Sequence, residues 1–435
     1  MNDATIVSIV LIGGMVLLLA IGAPVSISVG LPSAIAMVLV LGFENGALAS
    51  AQRLFNGINS FALLAIPFFI LAGAIMNTGG IALRLINLAK VMVGKTPAPL
   101  VQTSVLASML FGAVSGSAVA TVAAVGATTA PIQKRLGYDP AFSAAANVAA
   151  APSGMLIPPS NVIIVYALAS GGTSVGALFL AGYIPGILWG LACMGVVYFY
   201  ARRHPELKAD SWVTPRAFLT VLLQAVPSLS LIVVVVGGII SGFFTPTEGS
   251  AVAVLYSLLL SFLYRTIKVK DLPGILLGAA RTSGVVIFLI GVSTIMSWVM
   301  SFTRIPTLIS EVLFGWTDSK VVVLLIMMLL LLVIGIPLDA TPAILIFTPI
   351  FLPIAMSYGV DPVHFGIMMV FNLSIAVISP PSAPVLFVGA QVAEVSIESV
   401  IIKLLPFMAV LIVLLFVIAF VPQISLFLPG LFGFV

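Results

Sequence analysis

Charged residues are scarce in this sequence: Asp, Glu, Lys and Arg make up 7% of its 435 residues, whereas 61% are hydrophobic. The mean hydropathy of +1.30 lies far outside the range of soluble globular proteins. A single cysteine, Cys193, excludes an intrachain disulfide, a cysteine metal cluster and a redox pair. The two histidines, His204 and His364, belong to no metal-ligand pattern. These scarcities exclude a soluble protein and predict a polytopic integral membrane protein.

Several enzyme and binding motifs are also missing. No G-x-x-x-x-G-K-[ST] sequence occurs, so ATP does not power the chain directly. The string GAVSG is not G-x-S-x-G, and with two remote histidines an intramembrane enzyme is a weak alternative. The 17 basic residues are scattered in short loops. Membrane orientation explains them better than nucleic-acid binding, although the pI is near 9.2.

What the sequence has in excess is long apolar runs, and a spanning helix needs about 20 mostly apolar residues. The first run carries Asp3 and no Lys or Arg, which predicts a retained helix rather than a secretory signal peptide. Spans are predicted near residues 5–21, 24–43, 60–82, 98–133, 140–170, 175–201, 217–242, 247–265, 282–303, 319–357, 362–392 and 400–422. Helices lying along the membrane interface are predicted over 43–60 and 268–281.

Lysine and arginine orient these spans, because cytoplasmic loops carry the excess of positive charge. With the N-terminus outside, only Arg53, Arg304 and Lys320 remain outside. The residues that fall inside are Arg84, Lys90, Lys95, Lys134, Arg135, Arg202, Arg203, Lys208, Arg216, Arg265, Lys268, Lys270, Arg281 and Lys403.

Four apolar segments are interrupted near their middle. Segments 98–133 and 319–357 are too long for one crossing and are broken by SGSAVAT and GIPLDATP, which predicts re-entrant hairpins or pairs of spans. The following segments, 140–170 and 362–392, contain Pro-Pro pairs in APSGMLIPPSN and LSIAVISPPSAP. A double proline unwinds a helix, and unwound backbone at membrane depth is tolerated only when buried in protein or lining a cavity. The four breaks are therefore expected to converge on an internal polar site.

An internal repeat relates the two halves. A shift of 222 positions places Pro131 on Pro353, Gly137-x-Asp139-Pro140 on Gly359-x-Asp361-Pro362, and Pro158-Pro159-Ser160 on Pro380-Pro381-Ser382. We expect two repeats, 1–210 and 211–435, each with scaffold helices, a hairpin and a broken helix. An odd number of crossings per repeat makes the copies antiparallel, so the first hairpin enters from the cytoplasm and the second from the opposite face. This is the design of secondary transporters, and it favours a carrier over a channel.

Small and hydroxylated residues at the first hairpin tip are candidate ion ligands. Ser115, Gly116 and Ser117 supply carbonyls and hydroxyls, and the helix that resumes at Ala118 directs its N-terminus to the centre. The alternative is that small residues only permit close helix packing, but the repeated layout favours a site. Asn161, beside the first Pro-Pro break, is expected to line the same site.

Asp339 is the one acidic residue deep within an apolar segment. It lies 19 residues after Lys320, about 28 Å of helix, so it reaches well into the bilayer. An intramembrane carboxylate is costly and indicates a functional role. The alternative is an N-terminal cap for the half-helix that opens at Thr341-Pro342, and both roles can hold at once.

Together these motifs resemble the large membrane subunit of tripartite ATP-independent periplasmic (TRAP) transporters, the DctM-like proteins. The resemblance covers nearly the whole chain, through FGAVSGSAVAT, GYDPAFSAAANVAAAPSGMLIPPSN, LFLAGYIPGIL, TPTEGSAVAV and DATPAILIFTPIFLP. It implies an all-α ion-transporter fold with inverted repeats, two re-entrant hairpins and an elevator-type transport module. It also implies Na⁺-coupled uptake of an organic acid across the bacterial inner membrane, with a periplasmic N-terminus. The implied partners are a small membrane subunit and a periplasmic substrate-binding protein.

The resemblance further implies two or more Na⁺ sites. One would use Ser115, Gly116 and Ser117 with the loop around Gly154 and Pro158, and the other Asp339 and Thr341 with the loop around Ser379 and Pro380. Substrate is expected between the tips, near Ser117, Asn161, Asp339 and Thr341. Because neither tip contains Lys or Arg, a carboxylate would depend on helix dipoles, hydroxyls and bound Na⁺.

Some residues depart from the usual family pattern. Ala376 stands in place of a glycine and Ser379 in place of a threonine, although serine retains the hydroxyl. The second half is most similar to the sugar-acid branch, so sialic acid is the first substrate hypothesis, ahead of C4-dicarboxylates and other sugar acids. The rival hypothesis is a stand-alone Na⁺- or H⁺-coupled di- or tricarboxylate carrier. Arg304 and Lys320 are candidates for docking the binding protein, with a lipid headgroup contact as the alternative.

Overall fold

The computed structural model describes residues 3–434 except 205, 206, 208–214, 309, 310, 312–316, 318, 337, 381 and 382. All regular structure in this part of the chain is helical, which confirms the all-α fold class. The α-helices are α1 (Asp3–Ser8), α2 (Gly14–Ala20), α3 (Val25–Leu41), α4 (Phe43–Ile58), α5 (Ala65–Thr78), α6 (Ile81–Val93), α7 (Pro99–Ser115), α8 (Ala118–Arg135), α9 (Pro140–Ala150), α10 (Asn161–Ala169), α11 (Val175–Arg202), α12 (Pro215–Ile240), α13 (Pro246–Leu263), α14 (Leu272–Phe302), α15 (Lys320–Gly335), α16 (Ala340–Ser357), α17 (Pro362–Ala376), α18 (Pro384–Ala393), α19 (Ile397–Phe420) and α20 (Gln423–Leu431). A π-helical stretch, Ile9–Gly13, joins α1 to α2, and 3₁₀ turns lie at Phe61–Leu64, Ala151–Met155 and Val269–Asp271.

The long apolar helices make this a multi-pass membrane protein. Seven of the described helices are long and apolar enough to cross a membrane. Large apolar side chains such as Phe199, Val233 and Val413 are exposed on their outer faces. A soluble protein rarely exposes contiguous apolar surface of this kind, so these faces are suited to contact lipid.

Most predicted spans agree with the helices within a few residues, and each long segment divides into two arms, α7 with α8 and α15 with α16. The prediction of a separate interface helix over 268–281 was wrong. α14 runs without a break from Leu272 to Phe302, because the charge of Arg281 lowers hydropathy without interrupting the backbone hydrogen bonds. Two helices were not predicted, α6 and α20. Arg84 and Lys90 within α6 obscured its apolar face.

Polar caps fix where several helices begin. Asp139 and Asp361 each accept two backbone N–H hydrogen bonds, at 2.8 to 3.4 Å, from the first turns of α9 and α17. A proline follows each cap at the first helical position, where its missing N–H costs nothing. The predicted capping box of Thr245 and Glu248 at the start of α13 is also confirmed.

Each hairpin packs on the broken helix of the opposite half. α8 lies against α18, and α16 lies against α10. Tyr166 of α10 donates a hydrogen bond to the carbonyl of Pro362 at 2.7 Å, and its ring fills the space where a Cβ of Gly366 would lie. The hairpins and broken helices therefore form one core, and α14 and α5 pack beside it.

The helix boundaries repeat between the two halves. α9 begins at Pro140 and α17 at Pro362, 222 positions later. The starts of α3 and α13, and those of α11 and α19, keep this offset within one residue. Lys208, Pro381 and Ser382, which entered the charge and repeat predictions, lie outside the described residues.

Candidate functional site

A cavity of about 420 Å³ lies where the four breaks meet. The first residues of α8, α10, α16 and α18 line it, so four helix N-termini share this space. Helix N-termini carry unpaired N–H groups and a partial positive charge. The two hairpin tips and the two Pro-Pro breaks thus come together, as their layout in the sequence predicts.

The first tip turns in two residues between α7 and α8. Gly116 has a φ of 62°, a left-handed conformation that favours glycine, and lies against Asn161. Ser117 is exposed to the cavity, and its Oγ caps α8 by accepting a backbone N–H at 3.3 Å. The hydroxyl of Ser115 is buried against that of Thr121 at 3.0 Å, and Thr121 donates to the Ser117 carbonyl at 2.7 Å. This tip is neutral and largely satisfied by its own hydrogen bonds.

The first Pro-Pro break leaves residues 156–160 outside any helix, between a 3₁₀ turn and α10. Ser160 caps α10 and donates to the carbonyl of Met155 at 2.5 Å, which holds the unwound loop closed. Asn161, the first residue of α10, is half-buried and lines the cavity. Its position beside the break predicted this place for Asn161, and its contact with substrate stays a prediction.

Glycines hold each hairpin close to a broken helix. A Cβ on Gly154 would lie 2.1 Å from the backbone of Gly112, so α7 and the first break touch backbone to backbone. In the second half, a Cβ on Gly335 would lie 2.5 Å from the Cβ of Ala376. Gly335 therefore provides the room for Ala376, the residue that departs from the glycine of the family pattern. Gly154 and Pro158 are buried behind the cavity wall.

The second tip carries the carboxylate of the cavity. Asp339 accepts the backbone N–H of Ala340 at 2.9 Å, which confirms its capping role for α16. Its side chain is exposed to the cavity, its other oxygen accepts no hydrogen bond from the described residues, and no ion pair with a described Lys or Arg involves it. Thr341 is half-buried and lines the cavity beside Pro342. This tip is anionic and only partly satisfied.

Of the second Pro-Pro break, the described residues Ser379 and Pro380 do not line the cavity. The hydroxyl of Ser379 is buried and donates back to the carbonyl of Ile375 at 2.8 Å. Pro380 is half-buried and does not line the cavity. Val377, Pro384 and Val385 line it from this side.

Apolar side chains of α5 and α14 close the remaining wall. Ile66 and Ile70 come from α5, and Val285 and Leu289 from α14. Thr282 adds a hydroxyl at the end of this wall. The sequence analysis did not select these residues, because nothing in an uninterrupted apolar span distinguishes its cavity side from its lipid side.

Arg304 and Lys320, the predicted docking residues, lie away from the cavity. Arg304 is exposed at the end of α14, and Lys320 donates to the carbonyl of Gly359 at 2.9 Å. Neither lines the cavity. Their role in docking a binding protein therefore stays a prediction.

Besides Thr282, four polar side chains line the cavity, and all of them carry oxygen atoms that can bind a cation. Hydroxyls of Ser117 and Thr341, the carboxylate of Asp339 and the amide of Asn161 face it. Oxygen ligands suit hard cations such as Na⁺, and helix N-termini suit an anion. Within the described part of the chain no group of three or more His, Cys, Asp or Glu side chains could hold a metal ion. The arrangement can accommodate a hard monovalent cation beside an organic anion.

An all-helical, multi-pass protein with a central cavity framed by broken helices has the architecture of a secondary transporter. Residues 12–424 match the family described as the tripartite ATP-independent periplasmic transporter, DctM component. The chain belongs to this family, the large membrane component of TRAP transporters. The resemblance inferred from its motifs is confirmed.

Similar proteins span the whole chain. YgiK of Salmonella typhimurium, an uncharacterized protein, is 52% identical and covers 98% of each chain. An isethionate TRAP transporter permease, DctMQ of Oleidesulfovibrio alaskensis, is 40% identical over 97% of this chain and 66% of its own length. A C4-dicarboxylate TRAP transporter large permease of Pseudomonas aeruginosa is 40% identical over 92% of this chain and 93% of its own. The relatives with an assigned role are named as transporters, not as enzymes.

The fold is shared with a solved structure. The crystal structure of the Alcanivorax borkumensis YdaH transporter, described as having an unusual topology, superposes with a TM-score of 0.66. The match covers 96% of this chain and 98% of that one at 16% sequence identity. At this identity the similarity concerns the fold alone.

Proposed function

We propose that the chain carries out Na⁺-coupled uptake of an organic acid across the bacterial inner membrane, with the acid delivered by a periplasmic binding protein. The observation that carries the proposal is the cavity between the tips, where Asp339 and four helix N-termini share one space. A bound cation would offset the carboxylate. Cation and helix N-termini together would then hold the acid group without an arginine or lysine.

The two tips would supply two ion sites. Ser115, Gly116 and Ser117 would bind one Na⁺ through carbonyl and hydroxyl oxygens, supported by the loop around Gly154 and Pro158. Asp339 and Thr341 would bind the other, supported by the loop around Ser379 and Pro380. Ser117, Asn161, Asp339 and Thr341 all line the cavity, which supports their role in substrate contact.

The packing supports movement of the hairpins and broken helices as one body. Gly112 and Gly154 join the first hairpin to its broken helix, and α8 and α16 pack on the opposite half. The scaffold wall, with Ile66 and Val285, is apolar and makes few directional contacts. We therefore propose an elevator mechanism in which the hairpins and broken helices of the two antiparallel repeats carry the cavity past α5 and α14.

The choice of acid rests on the relatives. A sialic acid TRAP transporter large permease of Vibrio cholerae is 35% identical over 395 residues. Sialic acid remains our substrate hypothesis, and the 40% identity of the isethionate and C4-dicarboxylate relatives makes these acids the first competitors to test. All three carry an acidic group, which suits the helix N-termini of the cavity.

The proposed system contains two further components. A small membrane subunit would accompany the chain, and the name DctMQ with its partial coverage supports a subunit that is fused in some relatives. A periplasmic binding protein would dock on the outer face, where Arg304 and Lys320 are candidate contacts. The charge distribution supports a periplasmic N-terminus, because fourteen of the 17 basic residues then lie inside.

Reconstitution tests the proposal. The chain and its cognate small subunit are placed in proteoliposomes, and uptake of labelled N-acetylneuraminate, isethionate and succinate is measured with the cognate binding protein. We expect uptake of one of these acids only under an inward Na⁺ gradient. Equal uptake in K⁺ alone would contradict Na⁺ coupling, and equal uptake without the soluble protein would favour the stand-alone carrier.

A further inference from the structure

The interior of the first hairpin is polar along its length. Between α7 and α8, Ser104 donates to Thr129 at 3.0 Å and accepts from Gln133 at 2.9 Å. Nearer the tip, Asn147 of α9 accepts from Ser108 at 3.2 Å and donates to a carbonyl of α8 at 2.9 Å. These side chains are buried. The hairpin thus contains a row of hydrogen-bonding groups that leads toward the ion-binding tip.

The second hairpin has no such row at the equivalent positions. Four positions of the polar row, Thr129, Gln133, Ser143 and Asn147, correspond 222 residues later to Phe351, Ala355, Phe365 and Met369. These four are buried and apolar. Since the same architecture forms without polar groups at these positions, the fold itself does not require the row.

Ser143 has a hydroxyl that no described protein group satisfies. Its residue is 4% exposed, and its Oγ has no hydrogen-bond partner among the described residues. It lines a chamber of about 10 Å³ together with Thr129, Gln133 and Asn147. That volume suits about one water-sized occupant with several polar neighbours. A buried hydroxyl of this kind indicates a bound water or ion.

The chamber lies next to a larger opening. Ser143 also lines a cavity of about 430 Å³ whose rim carries Lys134, Arg135 and Glu394. Lys134 and Glu394 form an exposed ion pair at 3.1 Å, which offsets the charge of the lysine. In the orientation set by the basic residues, this rim faces the cytoplasm.

Asn147 separates the chamber from the tip. Its Nδ2 donates to the carbonyl of Val122, and Gly126 beside it leaves the space that a Cβ would fill. One residue before Val122, Thr121 donates to the carbonyl of Ser117 at the tip. Asn147 therefore contacts the chamber on one side and, through its hydrogen bond to Val122, the turn of α8 that leads to the first tip on the other.

We propose that the space between α8, α9 and α18, on the outer side of the first hairpin, is a hydrated route through which Na⁺ exchanges between the first tip and the cytoplasm, with Ser143 in its inner chamber and Asn147 as its gate. The inference rests on the proposed function, because the ion that passes is the coupling Na⁺. Neutral oxygen donors can replace water around a small cation without holding it too tightly to leave. The second hairpin lacks this route, so its ion exchanges only through the substrate cavity.

Cysteine accessibility tests the route without measuring transport. Cys193 is 1% exposed, and Cys193→Ala provides a background without thiols. In inside-out vesicles of the membrane complex, we expect Ser143→Cys to react with a small methanethiosulfonate cation at least about tenfold faster than Phe365→Cys. Phe365 is the matched control, because it occupies the equivalent position of the other repeat. Equally slow labelling of both positions would overturn the route.

Filling the chamber with a larger side chain tests whether Na⁺ passes through it. Ser143→Leu should slow Na⁺-driven uptake by at least about tenfold and leave the Na⁺-induced rise in melting temperature in place. Wild-type uptake by Ser143→Leu would overturn the inference even if the protein needs Na⁺. Na⁺-independent uptake by the wild type would instead contradict the proposed function. Labelling of Ser143→Cys would still decide whether the chamber at Ser143 is hydrated. The labelling also decides the matter if the leucine variant does not fold.

Discussion

At the first hairpin tip the Ser115 hydroxyl is bonded to Thr121 at 3.0 Å, whereas at the second tip one oxygen of Asp339 accepts no hydrogen bond from the described residues. The first tip turns in two residues, and the second uses positions 336–339. One tip is neutral and internally bonded, and the other is anionic and open to the cavity. A duplicated framework has therefore been given two different chemistries.

This difference leads to an order of importance for the two proposed ion sites. A carboxylate that faces a cavity within the membrane is costly unless a cation offsets it. The first tip carries no such cost, because it has no charge, and the Ser115 hydroxyl and the Ser117 carbonyl have hydrogen-bond partners without an ion. We expect the second site to control coupling and the first to tune it, and the following predictions test that order.

The largest effect is expected from Asp339→Asn, which keeps the size of the side chain and an oxygen for the helix cap but removes the charge. Na⁺-driven uptake should fall by at least about 100-fold, or ~2.7 kcal/mol, because the cation loses its charged ligand. Glu398→Gln is the control, since Glu398 is an exposed carboxylate in the first turn of α19. Normal uptake by Asp339→Asn would show that the second tip does not control coupling.

The next largest effect is expected from substitutions at the glycine contacts behind the tips, and it is measured as a change in stability by thermal unfolding in detergent. Gly154→Ala places a methyl group against the Gly112 backbone, which cannot yield, and should lower the free energy of unfolding by about 1–3 kcal/mol. Gly335→Ala instead places a methyl group against the Cβ of Ala376. Adding Ala376→Gly removes that contact and should restore stability. If the double variant melts as low as Gly335→Ala alone, this methyl contact is not what limits the second hairpin.

A smaller effect is expected from Ser117→Ala. The substitution removes a helix cap worth about 1 kcal/mol but leaves the tip carbonyls in place. Uptake should fall about fivefold, with a higher Na⁺ concentration at half-maximal rate, and Ser117→Thr should restore it. A loss as large as that of Asp339→Asn would remove the proposed difference between the tips.

The smallest effect concerns pH at the start of the two broken helices. Asp139 pairs with Lys403 at 2.9 Å, whereas no ion pair within the described residues involves Asp361. Burial alone would raise the pKa of Asp139, but the hydrogen bond from Lys403 and those from the α9 backbone hold it below its ordinary value. Because the folded-state pKa is the lower one, this stabilisation is present above the unfolded-state pKa and is lost as the pH falls through the folded-state pKa.

Lys403→Met should therefore reduce the acid sensitivity of the melting temperature, by an amount typical of a partly exposed pair, below about 1 kcal/mol. The measurement is a series of melting curves between about pH 3 and pH 7. An identical acid dependence in the variant and the wild type would assign the effect to other carboxylates.

The sequence was sufficient for most of the fold because membrane spans are selected by apolar length, and breaks by proline and glycine. It was insufficient where charge and helix geometry conflict. Arg281 lies within α14 and Arg84 within α6, since a long basic side chain can reach the membrane surface while its backbone stays helical.

For the site, the sequence predicted that the breaks converge, and it identified Ser117, Asn161 and Asp339 as cavity residues. It could not distinguish which residues of a break face inward. Ser379 bonds back to its own helix, and Gly154 is buried against Gly112, because close packing between elements decides orientation. The sequence also did not predict that the Ser143 hydroxyl is buried without a partner among the described residues. A serine in an alanine-rich helix does not stand out until its neighbours in the fold are known.

The hydrogen bond from Tyr166 to Pro362 joins residues 196 positions apart and has a consequence for biogenesis. During synthesis α10 enters the membrane long before α17 exists. Until then the Tyr166 hydroxyl can form hydrogen bonds only with water, lipid or an insertion factor. The first half of the chain therefore cannot complete its core alone. Final assembly of the protein has to follow insertion of the second half, and a chain truncated before Pro362 should be recognised as unfinished and degraded.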